Sequence, residues 1–250
     1  MANEDALRLL CFIGFFLLFL LGEVIFPRKK SFIPKKKRWF GNMALIIISQ
    51  ALIPISLVEA SVIFKDKGWV LLKDCPLVLE IVILDLAIYF QHRLFHKVDF
   101  FWRFHSIHHS DLELDTTSAL RFHPGEILLS WGIKLILILI FGISALGIII
   151  FEILLNTSSM FNHSNLKIPR FLENILRVFI VTPDFHRSHH SMRKNQLNKN
   201  FGFNLSLWDR VFKTYQKVSY EEQERIVLGL VKKRDIKDQR IWSLLKGPFY

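Results

Sequence analysis

The histidines of this chain are the residues whose type and spacing could do chemistry. All ten lie between residues 92 and 190, in one HxxxH segment, two HxxHH segments and two isolated positions. They are His92, His96, His105, His108, His109, His123, His163, His186, His189 and His190. On a helix, side chains three or four positions apart project from the same face, and neutral imidazole is a common metal ligand. Three helical segments could therefore converge on one metal centre.

The number of imidazoles favours two metal ions. A single catalytic zinc needs three protein ligands and one open position, whereas the ten histidines exceed what one ion can coordinate. Two ions, each with a position left for oxygen or water, account for the set better. A membrane zinc-binding protein and a degenerate site without metal are the alternatives, because a single HxxxH pair also arises by chance.

The elements that must position these histidines are those of a membrane protein. Of the 250 residues, 51% are hydrophobic and 24 are phenylalanine, and the apolar residues form long runs. The two cysteines, Cys11 and Cys75, lie in or beside such runs and predict no disulfide framework. The net charge of +11 does not predict nucleic-acid binding. Much of this charge flanks the apolar runs, as in loops that face anionic lipid, and no nucleic-acid-binding motif accompanies it.

Three transmembrane helices are predicted before the histidines. They cover about Leu9–Phe26, Met43–Phe64 and Trp69–Gln91, and Pro54 is expected to kink the second. The loop at 27–42 has seven Lys and Arg residues and no acid. Because cytoplasmic loops carry such an excess of positive charge, this loop and the first histidine pair are predicted to face the cytoplasm.

A helical hairpin is predicted between the two isolated histidines. Residues 127–161 are almost wholly apolar, with Lys134 and Glu152 as exceptions, and exceed one span of ~20 residues. If both isolated histidines join one site, the chain crosses an even number of times between them. We therefore expect helices at about 127–140 and 143–160. The fold prediction is an all-α integral membrane protein with about three transmembrane helices plus a helical hairpin, and a cytoplasmic helical histidine-rich cap.

The rest of the chain is predicted to surround this site. An amphipathic stretch within 164–182 suits the membrane interface, and residues 220–240 predict a charged helix. The predicted domains are an N-terminal transmembrane region at 1–79, a catalytic domain at 80–216 and a cytoplasmic C-terminal tail at 217–250.

A polar stripe near the end of the third predicted span points to residues that support the ligands. Asp85, Tyr89, His92 and His96 are spaced by four, three and four residues. An acid in a membrane helix is costly unless it has a partner. Asp85 is therefore expected to hold Tyr89 or a ligand imidazole in place. The alternative is a helix-end acid that reaches the water interface.

Together these residues resemble the fatty acid hydroxylase/sterol desaturase superfamily of membrane di-iron enzymes. The resemblance covers about residues 80–216. It rests on HRLFH, WRFHSIHHS, RFHPGE, the NHSN segment that contains His163, and DFHRSHHS followed by NFGFNLSLWDRVFKTY. One departure is Lys213, where related sequences commonly carry Gly in a WDxxFGT-like segment.

The resemblance implies two iron ions, held by the histidines, that activate O2 against an unactivated C–H bond of a lipid. All ten histidines are candidate ligands, and no catalytic residue beyond them is implied. The RFHPGE segment could instead orient other ligands through Arg121 and Glu126, which leaves the role of His123 open. Asp184 is a further candidate for supporting the ligands. Electrons are expected from a separate cytochrome b5, ferredoxin or reductase.

Hydroxylation of a lipid, in lipid biosynthesis or modification, is the leading function, with desaturation by the same oxidant as the alternative. A non-redox zinc protein, either a hydrolase or a metal binder, is a second class. A hydrolase would need a general base, for which Glu126 is the obvious nearby carboxylate. A structural protein without activity is the third class. The predicted location is an integral membrane protein with its site on the cytoplasmic face, in a bacterial inner membrane rather than the endoplasmic reticulum.

Overall fold

Helices form the regular structure of the chain. The computed structural model describes residues 2–64 and 75–250. Within these residues it has α-helices, short 3-10 helices and isolated β-bridges but no β-strand, which confirms the all-α prediction. The α-helices are α1 (Ala2–Ile25), α2 (Lys35–Ala51), α3 (Leu57–Phe64), α4 (Leu77–Lys97), α5 (Asp99–His109), α6 (Pro124–Phe141), α7 (Ala145–His163), α8 (Arg170–Phe179), α9 (Pro183–His189), α10 (Lys194–Leu197), α11 (Leu207–Val211) and α12 (Ile241–Lys246). The 3-10 helices are Thr116–Leu120, Glu222–Arg225, Ile236–Gln239 and Gly247–Phe249.

Three helices in the described part of the chain are long and apolar enough to cross a membrane: residues 6–25 of α1, all of α6 and all of α7. They correspond to the predicted first span and the predicted hairpin. Gly142 ends α6 in the left-handed conformation, with a φ of 71°. Ser144 then begins α7, because its hydroxyl accepts a hydrogen bond from the Gly147 N–H at 3.0 Å. Each hairpin helix is about 27 Å long, which matches the apolar thickness of a bilayer.

The second predicted span is not one helix. α2 ends at Ala51 and α3 begins at Leu57, with Pro54 in the break between them. Proline has no N–H and disfavours the helical conformation of the residue before it. Ser56 and Glu59 restart the helix as a capping box, in which each side chain binds the backbone N–H of the other at 3.0–3.1 Å. Two shorter helices thus replace the continuous span predicted at Met43–Phe64.

Helix α4 carries the first two histidines away from the hairpin tip. Near its beginning, Glu80 accepts hydrogen bonds from the N–H and the hydroxyl of Ser144 at the tip, at 3.2 and 2.7 Å. Apolar residues of α4 then pack with those of α3, α6 and α7 in the main core. His92 lies three helical turns later, about 18 Å along the axis. The third predicted span, Trp69–Gln91, overlaps α4, although its first part at 69–74 lies outside the described residues.

Helices α1 and α7 lie side by side and run in the same direction. Phe19 contacts Phe161, with ring centroids 5.5 Å apart, and Arg8 forms an ion pair with Glu152 nearer the hairpin tip. α1 therefore ends at the level where α7 ends. The basic segment at 27–42 was predicted as a loop, but its residues 35–42 form the beginning of α2. It consequently emerges on the side of the molecule that holds the histidines.

The short helix α8 buries charged side chains and exposes apolar ones, which is the opposite of a surface helix in a soluble protein. Its Glu173 and Arg177 are buried, whereas Phe171, Ile175 and Phe179 are exposed. An exposed apolar face on a helix beside membrane-spanning segments is what the predicted interfacial stretch at 164–182 requires.

Residues 220–240 do not form the predicted helix. Two short 3-10 helices lie there, and between them Gly229 has a φ of 89°, which no α-helix contains. Ile226 and Leu228 are buried in a small cluster with Leu114. The following helix, α12, packs its apolar side against α2 and α5. The C-terminal segment therefore packs on the histidine-bearing region of the protein.

Candidate metal centre

Nine of the ten histidines meet in two adjacent groups. Each group contains one ligand atom per histidine, and these atoms all lie within 4.8 Å of one another. Group 1 consists of His92, His96, His105, His109 and His189. Group 2 consists of His108, His163, His186 and His190. The groups touch, since the rings of His109 and His190 stack with centroids 4.3 Å apart.

Each HxxHH segment supplies both groups. On a helix that turns 100° per residue, the first and last histidines of HxxHH lie about 40° apart, and the middle one lies about 60° to the other side. In α5 the outer pair, His105 and His109, joins group 1, while His108 joins group 2. In the α9 segment the assignment is reversed, because His186 and His190 join group 2 and His189 joins group 1. The remaining members come from α4 for group 1 and from the end of α7 for group 2.

The distances between ring nitrogens fit common metal ions. In group 1 the Nε2 atoms of His92 and His189 are 2.9 Å apart, those of His96 and His109 are 3.1 Å apart, and those of His105 and His109 are 3.2 Å apart. In group 2, Nε2 of His163 lies 3.0 Å from both His108 and His186, and His186 lies 3.1 Å from His190. Two nitrogens bound at about 2.1 Å to one ion, at a right angle, are about 3 Å apart. These residues therefore fit two bound metal ions.

Oxygen atoms on the far side of five rings select the metal-binding tautomer. An Nδ1–H that donates to an oxygen leaves the Nε2 lone pair free for a metal. The Nδ1 partners are the Phe201 carbonyl for His92 (2.8 Å), Glu126 Oε1 for His105 (2.6 Å), the Arg121 carbonyl for His108 (3.3 Å), the Ser159 carbonyl for His163 (2.7 Å) and the Lys199 carbonyl for His189 (2.8 Å).

Burial favours the neutral form of five of these imidazoles. Removal from water lowers the pKa of His189 to about 3 and holds the pKa of His108, His109, His186 and His190 well below the usual value. Neighbouring imidazoles disfavour a second positive charge and act in the same direction. A neutral imidazole is the form that binds a metal, so these five residues are in the form that can ligate at neutral pH.

His123 is the predicted ligand that joins neither group. It is the N-cap of α6, where its Nδ1 accepts a hydrogen bond from the Gly125 N–H at 3.0 Å. Its Nε2 faces the Leu245 carbonyl at 3.1 Å. Both ring nitrogens therefore have partners on helix ends, and the structure gives this residue a capping role.

Among the predicted supporting residues, Glu126 contacts a histidine of group 1 through its side chain, and Arg121 contacts a histidine of group 2 through its backbone. The Arg121 guanidinium donates to the carbonyl of Ile107 (2.9 Å) and the hydroxyl of Ser110 (2.9 Å), which fixes the end of α5. Burial lowers the pKa of Arg121 to about 10, so this side chain remains a cation at neutral pH. Glu126 holds His105, as noted above, from the first turn of α6.

Asp184 joins the basic loop to the last histidine segment. Its carboxylate forms ion pairs with Arg187 and, at 3.2 Å, with Arg28. Because Asp184 and Arg187 both belong to α9, the Arg28–Asp184 pair is the contact that ties this helix to the segment after α1. The loop at 27–42 thereby contacts the site.

Asp85 and Tyr89 bind a downstream loop rather than an imidazole. Asp85 accepts hydrogen bonds from the N–H and side-chain amide of Asn204, the N–H of Leu205 and the indole of Trp208, at 2.8–3.4 Å. The Tyr89 hydroxyl lies 2.7 Å from the Thr214 hydroxyl. The contact expected between Asp85 and Tyr89 or a ligand is thus replaced by contacts that fold residues 199–214 onto α4.

Asp209 organises that loop, and sequence reasoning had not singled it out. Its carboxylate accepts hydrogen bonds from the N–H groups of Phe201 (2.8 Å) and Gly202 (2.6 Å) and from the Thr214 hydroxyl (2.6 Å). The Phe201 carbonyl, in turn, holds His92. The Trp-Asp pair in the segment NFGFNLSLWDRVFKTY was the available signal, but the backbone carbonyls that hold the ligands have no sequence signature.

A cavity of about 850 Å³ joins both groups to the membrane region. Its wall includes His92 and His105 from group 1 and His108 and His186 from group 2. Much of the remaining wall is apolar and comes from α1, α2, α4, α6 and α7. Leu9 also lines the cavity and is 59% exposed on α1, a helix long and apolar enough to span the membrane. The cavity therefore extends from the two histidine groups to side chains of helices that are long and apolar enough to span a membrane.

The chain belongs to the fatty acid hydroxylase family. The model of that family matches residues 77–214, which is more than half of the chain and includes all ten histidines.

Two characterised proteins are similar to part of the chain. Alkylglycerol monooxygenase of Homo sapiens is 27% identical over 152 residues, which cover 59% of this chain and 31% of that protein. Ornithine lipid hydroxylase of Rhizobium tropici is 30% identical over 138 residues, which cover 55% of this chain and 41% of that protein. The matched segment thus spans less than half of either relative. No solved structure matches the chain.

Proposed function

We propose that this member of the fatty acid hydroxylase family is a membrane-bound di-iron oxygenase that hydroxylates a C–H bond of a lipid. The observation that carries the proposal is the cavity, because histidines of both groups line its inner end and apolar side chains line its length. A metal site that served only storage or structure would have no need of such a cavity. A lipid chain that enters from the bilayer would lie against both groups at once.

The donor set favours iron over zinc. Group 1 offers five nitrogens and group 2 offers four. Structural zinc is four-coordinate, and catalytic zinc keeps three protein ligands and one open position. Imidazole ligands suit iron as well as zinc, and iron can accept five or six ligands. When bound, iron would supply the activation of O2 that an unactivated C–H bond requires.

The protein residues position the lipid and the ligands. One oxygen atom enters the C–H bond as a hydroxyl, and the other leaves as water after taking up two electrons and two protons. The electrons come from a separate electron-transfer protein. Glu126, the Phe201 carbonyl and the Lys199 carbonyl hold group 1 rings in fixed orientations. The apolar wall, which includes Ile88 and Trp131, excludes water from the lipid chain.

The site is proposed to face the cytoplasm of a bacterial inner membrane, with the catalytic domain at about 80–216. The loop at 27–42 carries seven cations and no acid and lies beside the site, and such loops are retained on the cytoplasmic side. Arg28 and Arg38 form buried ion pairs. Lys36 and Lys37 are exposed, so they are available to a membrane surface or a partner.

The test is metal analysis followed by isotope transfer. The chain, purified without oxygen, should contain about two irons per molecule, one for each histidine group. After reduction and exposure to ¹⁸O2 in the presence of membrane lipid, the label should appear in a hydroxylated lipid. His108→Gln should lose iron, while His123→Gln, a matched change at a histidine outside both groups, should keep it. Bound zinc without iron uptake, or a modified lipid without ¹⁸O, would overturn the proposal.

A further inference from the structure

One histidine of group 1 has an edge on the surface of the protein. His96 is partly exposed, whereas the other eight members of the two groups are buried. The wall of the cavity described above includes His92 and His105 but not His96. The exposed edge of His96 therefore lies on a side of group 1 that a lipid chain in the cavity would leave free.

Trp102 is the aromatic side chain beside that edge. Its ring lies against three rings of group 1, with centroid distances of 5.0 Å to His96, 5.5 Å to His109 and 6.2 Å to His105. Trp102 is partly exposed and, like His96, does not belong to the cavity wall. One side chain thus connects group 1 to the protein surface.

The indole N–H of Trp102 is not used within the protein. Trp39, Trp131 and Trp208 each donate theirs to a protein oxygen at 2.8–2.9 Å. The N–H of Trp102 has no such partner in the part of the chain that the structure describes. A partly exposed indole with a free N–H offers both an apolar ring and a hydrogen-bond donor to another molecule, which is the combination that makes Trp common at interfaces.

Exposed charged side chains flank this position. Lys97 directly follows His96, and Arg103 directly follows Trp102. Asp99 is the single acid between the two cations. Exposed charges are unfavourable in the hydrocarbon of a bilayer, so this part of the surface faces water, where a soluble protein can reach it.

The loop at 199–214 forms the neighbouring edge and is also basic. Its Phe201 ring lies 5.2 Å from the ring of His96. Lys199 is partly exposed and Lys213 is exposed, and the Lys199 ammonium lies 3.5 Å from the Lys213 carbonyl. Cations therefore lie on both sides of His96 in the fold. A surface of one sign attracts and orients a partner of the opposite sign.

We infer that Trp102 and the exposed edge of His96 form an electron-entry surface, at which an acidic one-electron carrier protein docks. This inference rests on the proposed function, because the oxygenase needs external electrons. Each O2 takes up two electrons and two protons as one oxygen enters the lipid and the other leaves as water. The carrier is therefore oxidised by one electron in each of two encounters, and the protons come from water. Lipid occupies the cavity side of group 1 and the carrier the outer side, so neither blocks the other.

The first experiment measures docking, which requires no turnover. The full chain in nanodiscs of a zwitterionic lipid is titrated at low salt with an acidic [2Fe–2S] ferredoxin and with basic cytochrome c. We expect the ferredoxin to bind and cytochrome c not to bind. The double variant Lys97→Gln/Arg103→Gln should weaken ferredoxin binding about tenfold, and added salt should weaken binding to the unmodified protein.

The matched control is Lys36→Gln/Lys37→Gln, which removes two exposed cations from the basic segment after α1. It should leave ferredoxin binding unchanged. Equal weakening by the two double variants would assign docking to general positive charge and overturn the inference. Absence of ferredoxin binding, or equally tight binding of cytochrome c, would overturn it as well.

The second experiment measures electron delivery by stopped flow. Trp102→Leu should slow reduction of the bound iron by ferredoxin about tenfold, as expected for loss of an interface Trp. Reduction by dithionite, a small molecule that needs no docking surface, should keep its rate, and iron content should stay the same. Trp102→Phe keeps an aromatic ring and should restore most of the ferredoxin rate.

A Trp that only packs against the ligands, or only anchors the chain at the membrane interface, gives a different result. Trp102→Leu would then change both reductions alike or change neither, and either outcome would overturn the inference. Iron content and ¹⁸O transfer are measured separately. Failure of the proposed function therefore appears as missing iron or unlabelled lipid, whereas failure of this surface appears as unaltered docking and reduction in the variants.

Discussion

The two histidine groups differ in how the rest of the chain holds them. Group 1 has five members, and its supporting atoms are the Glu126 carboxylate and the carbonyls of Lys199 and Phe201. Group 2 has four members, and its supporting atoms are the carbonyls of Ser159 and Arg121. Group 1 therefore depends on a carboxylate and a distant loop, whereas group 2 depends on helix α7 and the segment before α6.

This difference predicts that the two groups bind metal with unequal affinity. A carboxylate behind a ligand imidazole raises its basicity and its affinity for a metal more than a carbonyl does. Group 1 also has one more nitrogen than group 2. We therefore expect group 1 to tolerate the loss of one ligand better than group 2, but to be more sensitive to changes in residues 199–214.

The loss of a ligand from either group is the strongest test of that comparison. His163→Ala leaves group 2 with three nitrogens, and we expect iron content to fall to about one per chain and activity to fall by more than about a hundredfold. His96→Ala leaves group 1 with four nitrogens, and most of the iron should remain. Iron analysis of both variants after gel filtration measures the contrast. Equal iron loss in the two variants would contradict the inequivalence.

Removal of the carboxylate that binds His105 should weaken iron binding in group 1 and leave iron binding in group 2 unchanged. In Glu126→Gln the amide oxygen still accepts the Nδ1–H bond, but the negative charge is gone. The affinity of group 1 for iron should fall about 10–100-fold, while that of group 2 stays the same. Release of iron to a chelator should therefore become clearly biphasic.

The control for this change is Glu221→Gln, which removes a carboxylate from an exposed ion pair with Arg170. Exposed pairs of this kind contribute little to stability. Iron release from this variant should match that of the unmodified protein. A single slow phase in Glu126→Gln would show that the carboxylate does not distinguish the two groups.

The spacing of the histidines predicted that they would come together, but not their division between the two groups. Spacing alone identifies shared helix faces, so the HxxxH and HxxHH segments pointed to one centre. The division depends on how α5 and α9 face each other, because His108 and His189 cross over to the opposite group. No local spacing encodes that arrangement. His123 looked equivalent to the other histidines by type, and only its helix-capping contacts distinguish it.

The fold was predictable in the segments that are continuously apolar. It was less predictable where a proline, a helix cap or an irregular buried segment interrupts a helix that composition alone would suggest. The hairpin followed from the length of the apolar run and the break near Gly142. The prediction of one continuous second span was wrong. Pro54 and the Ser56–Glu59 capping box end one helix and begin another within the apolar segment Met43–Phe64. The prediction of a C-terminal helix was wrong because Leu228 is buried by a segment of irregular structure.

A smaller and more local effect is expected from Asp209→Asn. The side chain accepts three hydrogen bonds through its two carboxylate oxygens, and an amide nitrogen cannot accept the bond from either backbone N–H. We expect about 1–3 kcal/mol of lost stability in the loop at 199–214. Iron release from group 1 should accelerate, since the Phe201 carbonyl that holds His92 moves with this loop.

Hydrogen exchange of the Phe201 and Gly202 amides, compared with iron release, measures this effect. Asp99→Asn serves as the control, because Asp99 lies on the exposed first turn of α5. Faster release from group 2 than from group 1 in Asp209→Asn would reverse the assignment of the loop to group 1.

The smallest expected effect concerns Lys213, the position where related sequences commonly carry Gly. Lys213 has a φ of 58°, a left-handed conformation that is unfavourable by about 1–2 kcal/mol for a residue with a Cβ. Lys213→Gly relieves that strain, and the larger entropy of Gly in the unfolded chain offsets part of the gain. We therefore expect a net stabilisation of at most about 1 kcal/mol in the free energy of unfolding, with iron content unchanged in both groups. Lys213→Ala removes the same side chain but keeps the Cβ, so it should give no gain. A stabilisation that is equal in the Gly and Ala variants would show that the Lys side chain, and not the backbone conformation, is the unfavourable feature of this loop.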